Sequence, residues 1–169
     1  MFLDRDGVIN KERDDYTYRI ADFIILPGVK NALERLKKND FLCIVITNQA
    51  GIGRGLYSVE EMKVCHQHMM KELDGLIDDI YYCPYYPEQT DSLSRKPGSL
   101  MFEKAIAKYC IQEKKSWMVG DKERDLIPAK KLGLTTAFVG KELTEYADFY
   151  GFSLDEIVHK HIANDSSLT

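Results

Sequence analysis

The string FLDRDGVIN, residues 2–10, places Asp4 and Asp6 one residue apart after a short apolar run. Aspartate is a poor strand residue and close carboxylates repel each other, so the pair needs a cation or a function to offset that cost. If residues 1–5 form a strand, residues two apart point to the same side, and Gly7 then allows a sharp turn. Two such carboxylates can bind Mg²⁺, and one can attack phosphorus while the other donates a proton.

Three further polar strings fall where other predicted strands end, which is where ligands bind in parallel sheets. VITNQAGIGRG ends a strand with Thr47 and Asn48, ahead of glycines whose N–H groups could hold anionic oxygens,. SRKPG supplies Arg95 and Lys96 before a helix, and VGDKERD presents Asp121 after another strand. A solvated loop would explain any one string alone, but four in order along one rim favour a binding site.

Strands alternate with helices along the chain, which predicts an α/β fold with a doubly wound parallel sheet. Short apolar runs predict strands over 41–47, 78–84, 116–121 and 134–140,. Helices are predicted after LPG, after the Ser58 capping box, after KPGS, over about 123–132, and after Ser153,. We expect a single domain over residues 1–163 and a frayed tail over 164–169. Because no long insertion follows the first or third strand, we expect no separate cap domain.

The totals are those of an ordinary globular chain: 169 residues, 44% hydrophobic, with a net charge of −4. The acidic balance argues against nucleic-acid binding. No apolar run approaches the ~20 residues that span a membrane, and no signal-peptide pattern opens the sequence, so we expect a cytoplasmic protein. We expect a monomer or a weak homo-oligomer. The histidine pairs 66/68 and 159/161 are two residues apart on predicted helices and do not share a face, so all four are interpreted as structural or solvent-facing,.

The four polar strings together resemble the motifs of the haloacid dehalogenase (HAD) phosphatase superfamily. By this resemblance, Asp4 is the nucleophile that forms an aspartyl-phosphate, and Asp6 is the general acid and then the base. Thr47 and Lys96 would neutralise the transferring phosphoryl group. The resemblance implies Mg²⁺ bound by Asp4, by the backbone carbonyl of Asp6 and by Asp121, with Asp125 in support.

The finer strings LDRDGVIN, DYTYRIADFIILPG, TNQAGIGRGLYS and RKP resemble the branch that contains the D-glycero-D-manno-heptose 1,7-bisphosphate 7-phosphatases and the histidinol-phosphatase domain. This resemblance implies a Mg²⁺-dependent phosphomonoesterase of carbohydrate metabolism. Histidinol phosphate ranks second to the heptose bisphosphate, because no further carboxylate cluster awaits its cationic tail. A non-catalytic phosphosugar-binding module is the alternative of another class, and the intact aspartate pair argues against it. The residues implied for substrate binding are Tyr16, Asn48, Gln49, Ala50, Arg95 and Lys122.

One departure from that branch concerns a zinc loop of the form Cys-x-His, then Cys-x-Cys before RKP. The corresponding stretch here, CPYYPEQTDSLSRKP, keeps Cys83 but has Tyr85, Ser92 and Ser94 at the other ligand positions. A structural zinc site needs four ligands, so we predict that this chain binds no zinc. The altered loop carries Arg95, so its shape bears on the choice of substrate.

Overall fold

The computed structural model describes residues 1–162, and the tail predicted over 164–169 lies outside the described residues. The strands in the described range are β1 (Phe2–Leu3), β2 (Ile44–Asn48), β3 (Asp79–Cys83), β4 (Trp117–Gly120), β5 (Thr135–Val139) and β6 (Phe149–Gly151). They form one parallel sheet in the order β3-β2-β1-β4-β5-β6. The predicted doubly wound parallel sheet is therefore confirmed.

Helices connect these strands. The α-helices in the described range are α1 (Val29–Lys38), α2 (Ala50–Gly53), α3 (Val59–Glu72), α4 (Leu100–Tyr109), α5 (Glu123–Lys131) and α6 (Leu154–Ile157). Shorter turns are 3₁₀-helical at Ile20–Asp22 and Glu113–Lys115, and π-helical at Val158–Ile162. The predicted capping box begins α3, where Ser58 Oγ accepts from the Glu61 N–H and the Glu61 carboxylate accepts from the Ser58 N–H.

Alternate strand residues pack into two cores, one on each face of the sheet. Leu3, Val45 and Val119 belong to the core that α1, α3 and α6 cover. Their neighbours, including Phe2 and Met118, belong to the core that α4 and α5 cover. Because both faces are buried, the central strands are mostly apolar before their polar carboxyl ends, which explains the apolar runs in the sequence,.

Two short elements of the fold were not predicted. The strand β6 has only three residues, and α2 is a single turn within the glycine-containing stretch after β2. The helix α5 begins at Glu123, as expected, and continues through Pro128. Within residues 1–162, the β1–α1 and β3–α4 connections add only a 3₁₀ turn and loops, so they form no cap domain. No helix in that range has both the length and the apolar character needed to cross a membrane.

Candidate active site

The polar strings meet because β1 lies between β2 and β4 in the sheet. Leu3 pairs with Val45 on one side and with Val119 on the other, so the three carboxyl ends lie side by side. A cavity of about 110 Å³ opens at this edge. It is lined by Asp4, Arg5, Asp6, Glu12, Asp15, Tyr16, Thr17, Thr47, Asn48, Gln49, Tyr57 and Arg124.

Lys96 joins the nucleophile candidate to a second carboxylate. Its Nζ lies 2.9 Å from Asp4 Oδ1 and 2.8 Å from Asp125 Oδ1, and it donates to the Ile46 carbonyl at 2.7 Å. An ammonium group carries three N–H donors and has three oxygens within reach here: the contact to the carbonyl is a hydrogen bond, and the two contacts to carboxylates are ion pairs,. Lys96 is only 1% exposed. It therefore holds Asp4 in place and supplies a positive charge directly behind it.

The end of β2 is tied to the backbone of Lys96 by an amide side chain. Asn48 Nδ2 donates to the Lys96 carbonyl at 3.1 Å, and Asn48 Oδ1 accepts from the Lys96 N–H at 3.1 Å. These two bonds bring residues that are distant in sequence to the same strand end. The sequence implied that Asn48 binds substrate, and its side chain both lines the cavity and makes this connection.

Burial and crowding shift the pKa values of the charged groups at this edge. The pKa of Asp4 is raised to about 7 by burial and by the charge of Asp125, against the opposing effect of Lys96. Burial and the charge of Asp4 likewise raise the pKa of Asp121. Burial by itself would lower the pKa of Lys96, but Asp125 and Asp4 hold it above its usual value. These carboxyl groups are therefore harder to ionise together than isolated ones, a cost that a bound cation would relieve.

These carboxylates have the chemistry of a divalent cation site. Asp4, Asp121 and Asp125 each offer one oxygen, and the three oxygens lie within 4.8 Å of one another. Asp121 Oδ1 is buried without a hydrogen-bond partner. Hard cations such as Mg²⁺ prefer oxygen ligands of this kind, so the residues fit the ion. Gly7 keeps the approach open, because a Cβ at this residue (φ +84°) would lie 2.4 Å from Asp121 Oδ2.

Asp6, the candidate general acid, faces a different set of partners. Its two carboxylate oxygens accept from the guanidinium of Arg5 at 2.9–3.2 Å, and Oδ1 also accepts from Asn10 Nδ2 at 2.9 Å. Its side chain is not among the clustered carboxylates of the cation site in the described residues. The expectation that its backbone carbonyl binds the metal stays a prediction.

The other residues implied for substrate binding divide between the cavity and its surroundings. Tyr16 and Gln49 line the cavity. Arg95 lies in an adjoining cavity on the β3–α4 loop, where Nη1 donates to the Tyr85 carbonyl at 3.2 Å. Lys122 pairs with Asp121 at 3.1 Å and faces a cavity of about 530 Å³ on the other side. Ala50 is buried at the first residue of α2 and does not line the catalytic cavity as described.

Sequence reasoning missed four charged residues that line the cavity: Arg5, Glu12, Asp15 and Arg124. Arg5 was overlooked because it lies between the two aspartates, where strand alternation would turn it away from them. Arg124 lies in the first turn of α5, and its charge, after burial, contributes to a lowered pKa of Arg95. The pKa of Glu12 is raised by burial and by Asp121 and Asp6. The only sequence signal for Arg124 was its place in the charged string KERD, next to Asp121.

The stretch that corresponds to the zinc loop contains a buried cysteine and two serines that contact each other. Cys83 is buried at the end of β3. Ser92 Oγ and Ser94 Oγ lie 2.9 Å apart, within hydrogen-bond distance, and Tyr85 is exposed. The prediction that this loop binds no zinc remains a prediction.

Comparisons with known proteins point in one direction. A family model described as HAD-hydrolase-like matches residues 93–165. A D-glycero-beta-D-manno-heptose-1,7-bisphosphate 7-phosphatase of Haemophilus ducreyi is 38% identical over 156 residues, which cover 85% of this chain and 85% of the relative. A D-glycero-alpha-D-manno-heptose-1,7-bisphosphate 7-phosphatase of Photorhabdus laumondii is 38% identical over 149 residues, covering 83% of this chain and 81% of the relative.

A solved structure extends the similarity to three dimensions. The D,D-heptose 1.7-bisphosphate phosphatase from B. bronchiseptica, complexed with magnesium and phosphate, has a TM-score of 0.86 and 28% identity to this chain. The superposition covers 94% of this chain and 95% of that chain. The similarities extend over most of each protein, so they concern the whole fold rather than a single motif.

Proposed function

Since this chain belongs to the HAD-like phosphatases, in the family of the heptose-bisphosphate 7-phosphatases, we propose that it is a Mg²⁺-dependent 7-phosphatase of D-glycero-D-manno-heptose 1,7-bisphosphate. The observation that carries the proposal is the position of Asp4. Its Oδ1 accepts from the Arg5 N–H at 2.7 Å and forms an ion pair with Lys96 at 2.9 Å, which leaves Oδ2 for attack on phosphorus. A protein that only bound the phosphosugar, without hydrolysing it, would gain little from a carboxylate held in this way.

The proposed reaction has two steps. In the first, Asp4 Oδ2 bonds to phosphorus, the bond between phosphorus and the sugar oxygen breaks, and Asp6 donates a proton to that oxygen. In the second, Asp6 takes a proton from water, the water oxygen bonds to phosphorus, and the bond to Asp4 breaks. Inorganic phosphate then leaves. Positioning and charge neutralisation supply most of the catalysis in phosphoryl transfer.

The metal, when bound, would neutralise phosphoryl charge that otherwise repels the nucleophile. Asp4, Asp121 and the backbone carbonyl of Asp6 are the proposed ligands. The buried and unpartnered Asp121 Oδ1 supports this assignment. Lys96 adds a fixed positive charge behind Asp4, and Thr47, which is buried at the end of β2, lies beside the expected phosphate position.

A bisphosphate has a second anionic group, and basic residues border the cavity where that group would extend. Arg124 lines the cavity, and Arg95 lies close enough that the charge of Arg124 contributes to its lowered pKa. A planar guanidinium binds phosphate oxygens in pairs, so both residues suit the phosphate that is not hydrolysed. We include in the proposal that residues 1–163 act as one cytoplasmic catalytic domain with an open site.

The test measures phosphate release with Mg²⁺ from both anomers of the heptose bisphosphate and from histidinol phosphate. We expect the better heptose anomer to exceed histidinol phosphate by about tenfold or more in kcat/KM, a difference of about 1.4 kcal/mol. EDTA should abolish release. A preference for histidinol phosphate would reassign the substrate while leaving the mechanism intact.

The nucleophile is tested by Asp4→Asn, which should lower kcat by about 10³-fold or more because an amide does not form the phosphoenzyme. The matched control is Asp40→Asn, an exposed residue with φ of 59° at the end of α1, which should retain full activity. Wild-type turnover by Asp4→Asn would contradict the aspartyl-phosphate route.

A further inference from the structure

Arg5, the residue between the two catalytic aspartates, is 1% exposed and turns its side chain toward Asp6. Its Nε lies 3.2 Å from Asp6 Oδ2, and its Nη2 lies 3.0 Å from Oδ1 and 2.9 Å from Oδ2. A guanidinium fork that bonds both carboxylate oxygens restrains the plane of the carboxylate as well as its distance. A single contact to an ammonium group would restrain the distance alone.

The guanidinium is itself held from the far side. Nη2 donates to the Thr17 carbonyl at 2.8 Å, and the Arg5 guanidinium carbon lies 5.6 Å from the centroid of the Phe23 ring. The Gln49 amide matches its hydrogen-bonding neighbours in one of its two orientations. In that orientation its oxygen accepts from both Arg5 Nη atoms at 3.2 Å and from Thr47 Oγ1 at 2.9 Å,. Arg5 is therefore connected, through one amide, to the threonine expected beside the phosphate.

A buried histidine completes the support. His66 Nε2 on α3 lies 3.3 Å from Arg5 Nη1. Burial, and then the positive charge of Arg5, lower the pKa of His66 to about 3, so its imidazole is neutral near pH 7. A neutral imidazole can accept from Nη1 through its unprotonated nitrogen. From the sequence, this histidine was interpreted only as structural or solvent-facing.

We propose that Arg5 is a positioning residue that directs the Asp6 carboxylate toward the ester oxygen, with His66 and Gln49 fixing the orientation of Arg5. The inference rests on the proposed role of Asp6 as general acid. Proton transfer requires donor and acceptor atoms within about 2.6–3.2 Å, so a small rotation of the Asp6 carboxylate would slow it. Arg5 itself does not touch the phosphoryl group, because its donors are directed to Asp6, Thr17, His66 and Gln49.

The test uses leaving groups that differ in their need for a proton. An alkoxide leaving from a sugar phosphate needs protonation, whereas 4-nitrophenolate leaves without it. For Arg5→Lys we expect kcat/KM to fall about 30-fold with the sugar phosphate and less than about threefold with 4-nitrophenyl phosphate, since general acid catalysis contributes 10²–10⁴-fold. A series of substituted phenyl phosphates should show the same graded dependence, with KM for the sugar phosphate changing little.

Three companion variants make the result decisive. Asp6→Asn should show the same leaving-group dependence more strongly. His66→Leu, which acts only through Arg5, should show it more weakly and serves if Arg5→Lys does not fold. Arg35→Lys, at an arginine that pairs with Asp155 outside the cavity, should leave kcat/KM unchanged for both substrates.

An equal loss for all leaving groups in Arg5→Lys or His66→Leu, or no loss, would overturn the positioning role of Arg5. If Asp6→Asn itself shows no dependence on the leaving group, the general-acid assignment of the proposed function fails instead. The two failures are thereby distinguished.

Discussion

Single charged side chains in this site are held by more partners than a surface charge would have. Lys96 bonds two carboxylates and a carbonyl, and Arg5 bonds Asp6 and a second set of acceptors behind it. Removing one member of such a buried pair leaves an uncompensated charge and is costly, so each partner constrains the others. The geometry of Asp4 and Asp6 is set by these two cations.

The proposed contact between Arg124 and the second phosphate group can be tested with a single substitution. Arg124→Gln removes a charge that lines the cavity while keeping polar atoms there. We expect KM for the heptose bisphosphate to rise about tenfold, which corresponds to about 1.4 kcal/mol of binding, with kcat little changed. Steady-state kinetics with the bisphosphate and with the 7-monophosphate provide the comparison.

The monophosphate is the internal control for this substitution, because it lacks the group that Arg124 would contact. Its KM should change less than about twofold, the range expected from a long-range charge effect alone. Equal changes for both substrates would mean that Arg124 acts as a general charge and not as a contact to the second phosphate.

Whole elements are positioned by a few connections at the strand ends. The two hydrogen bonds between Asn48 and the backbone of Lys96 join β2 to the loop that follows β3. That loop also carries Arg95 and the residues that replace the zinc ligands of the related branch. The Asn48 bonds therefore fix the Lys96 end of this loop against the sheet.

Introducing the ligand types of the related branch tests the prediction that this loop binds no zinc. Tyr85→His, Ser92→Cys and Ser94→Cys together with Cys83 would supply four ligands, which is the number that a structural site needs. We expect the triple variant to hold one equivalent of zinc after dialysis and the natural chain to hold none, as measured by elemental analysis.

The matched control for the zinc experiment adds Cys83→Ser to the triple variant and should lose the metal again. One equivalent of tightly bound zinc in the natural chain would show that the loop binds the metal with another set of ligands. That result would contradict the interpretation of Tyr85, Ser92 and Ser94 given above.

At the scale of the molecule, two cores enclose the sheet and bury polar groups along with apolar ones. His66, on α3, is among the buried polar residues and lies beside Arg5 at the sheet edge. Its burial couples the protonation of one side chain to the stability of the whole chain, because the unfolded state exposes the same imidazole to water.

Stability should therefore fall on acidification in a way that depends on this histidine. The pKa of His66 is about 6.5 when unfolded and about 3 when folded, so between these values the unfolded state binds the additional proton. As pH falls through that window, the free energy of unfolding should decrease by up to about 1.4 kcal/mol per pH unit from this group. The contribution is fully present above pH 6.5.

Urea denaturation of the wild type and of His66→Leu between pH 7 and pH 4.5 measures this contribution. The substitution changes the stability at neutral pH through packing, so the informative quantity is the difference in slope with pH. We expect the variant to lose stability more gradually on acidification than the wild type does. Parallel pH dependences would mean that His66 titrates alike in both states.

Much of the fold followed from local pattern. The apolar runs predicted the central strands, and the Ser58 capping box predicted the start of α3, because helix caps and strand periodicity depend on residues near one another in sequence,. The three-residue strand β6 was not predicted because its sequence, FYG, is too short to show a periodicity. It is a strand because β5 lies beside it, and a single sequence does not record that neighbour.

The sequence by itself singled out the candidate groups Asp4, Asp6, Thr47, Lys96 and Asp121 by residue type and by their place at predicted strand ends, and the resemblance to the HAD phosphatases implied their roles. Only the tertiary structure decided how these groups are partnered. Lys96 bonds Asp125 as well as Asp4, and Arg5 turns to Asp6 and His66. The physical reason is that hydrogen bonds and ion pairs depend on the direction and distance at which remote segments approach, which only packing sets.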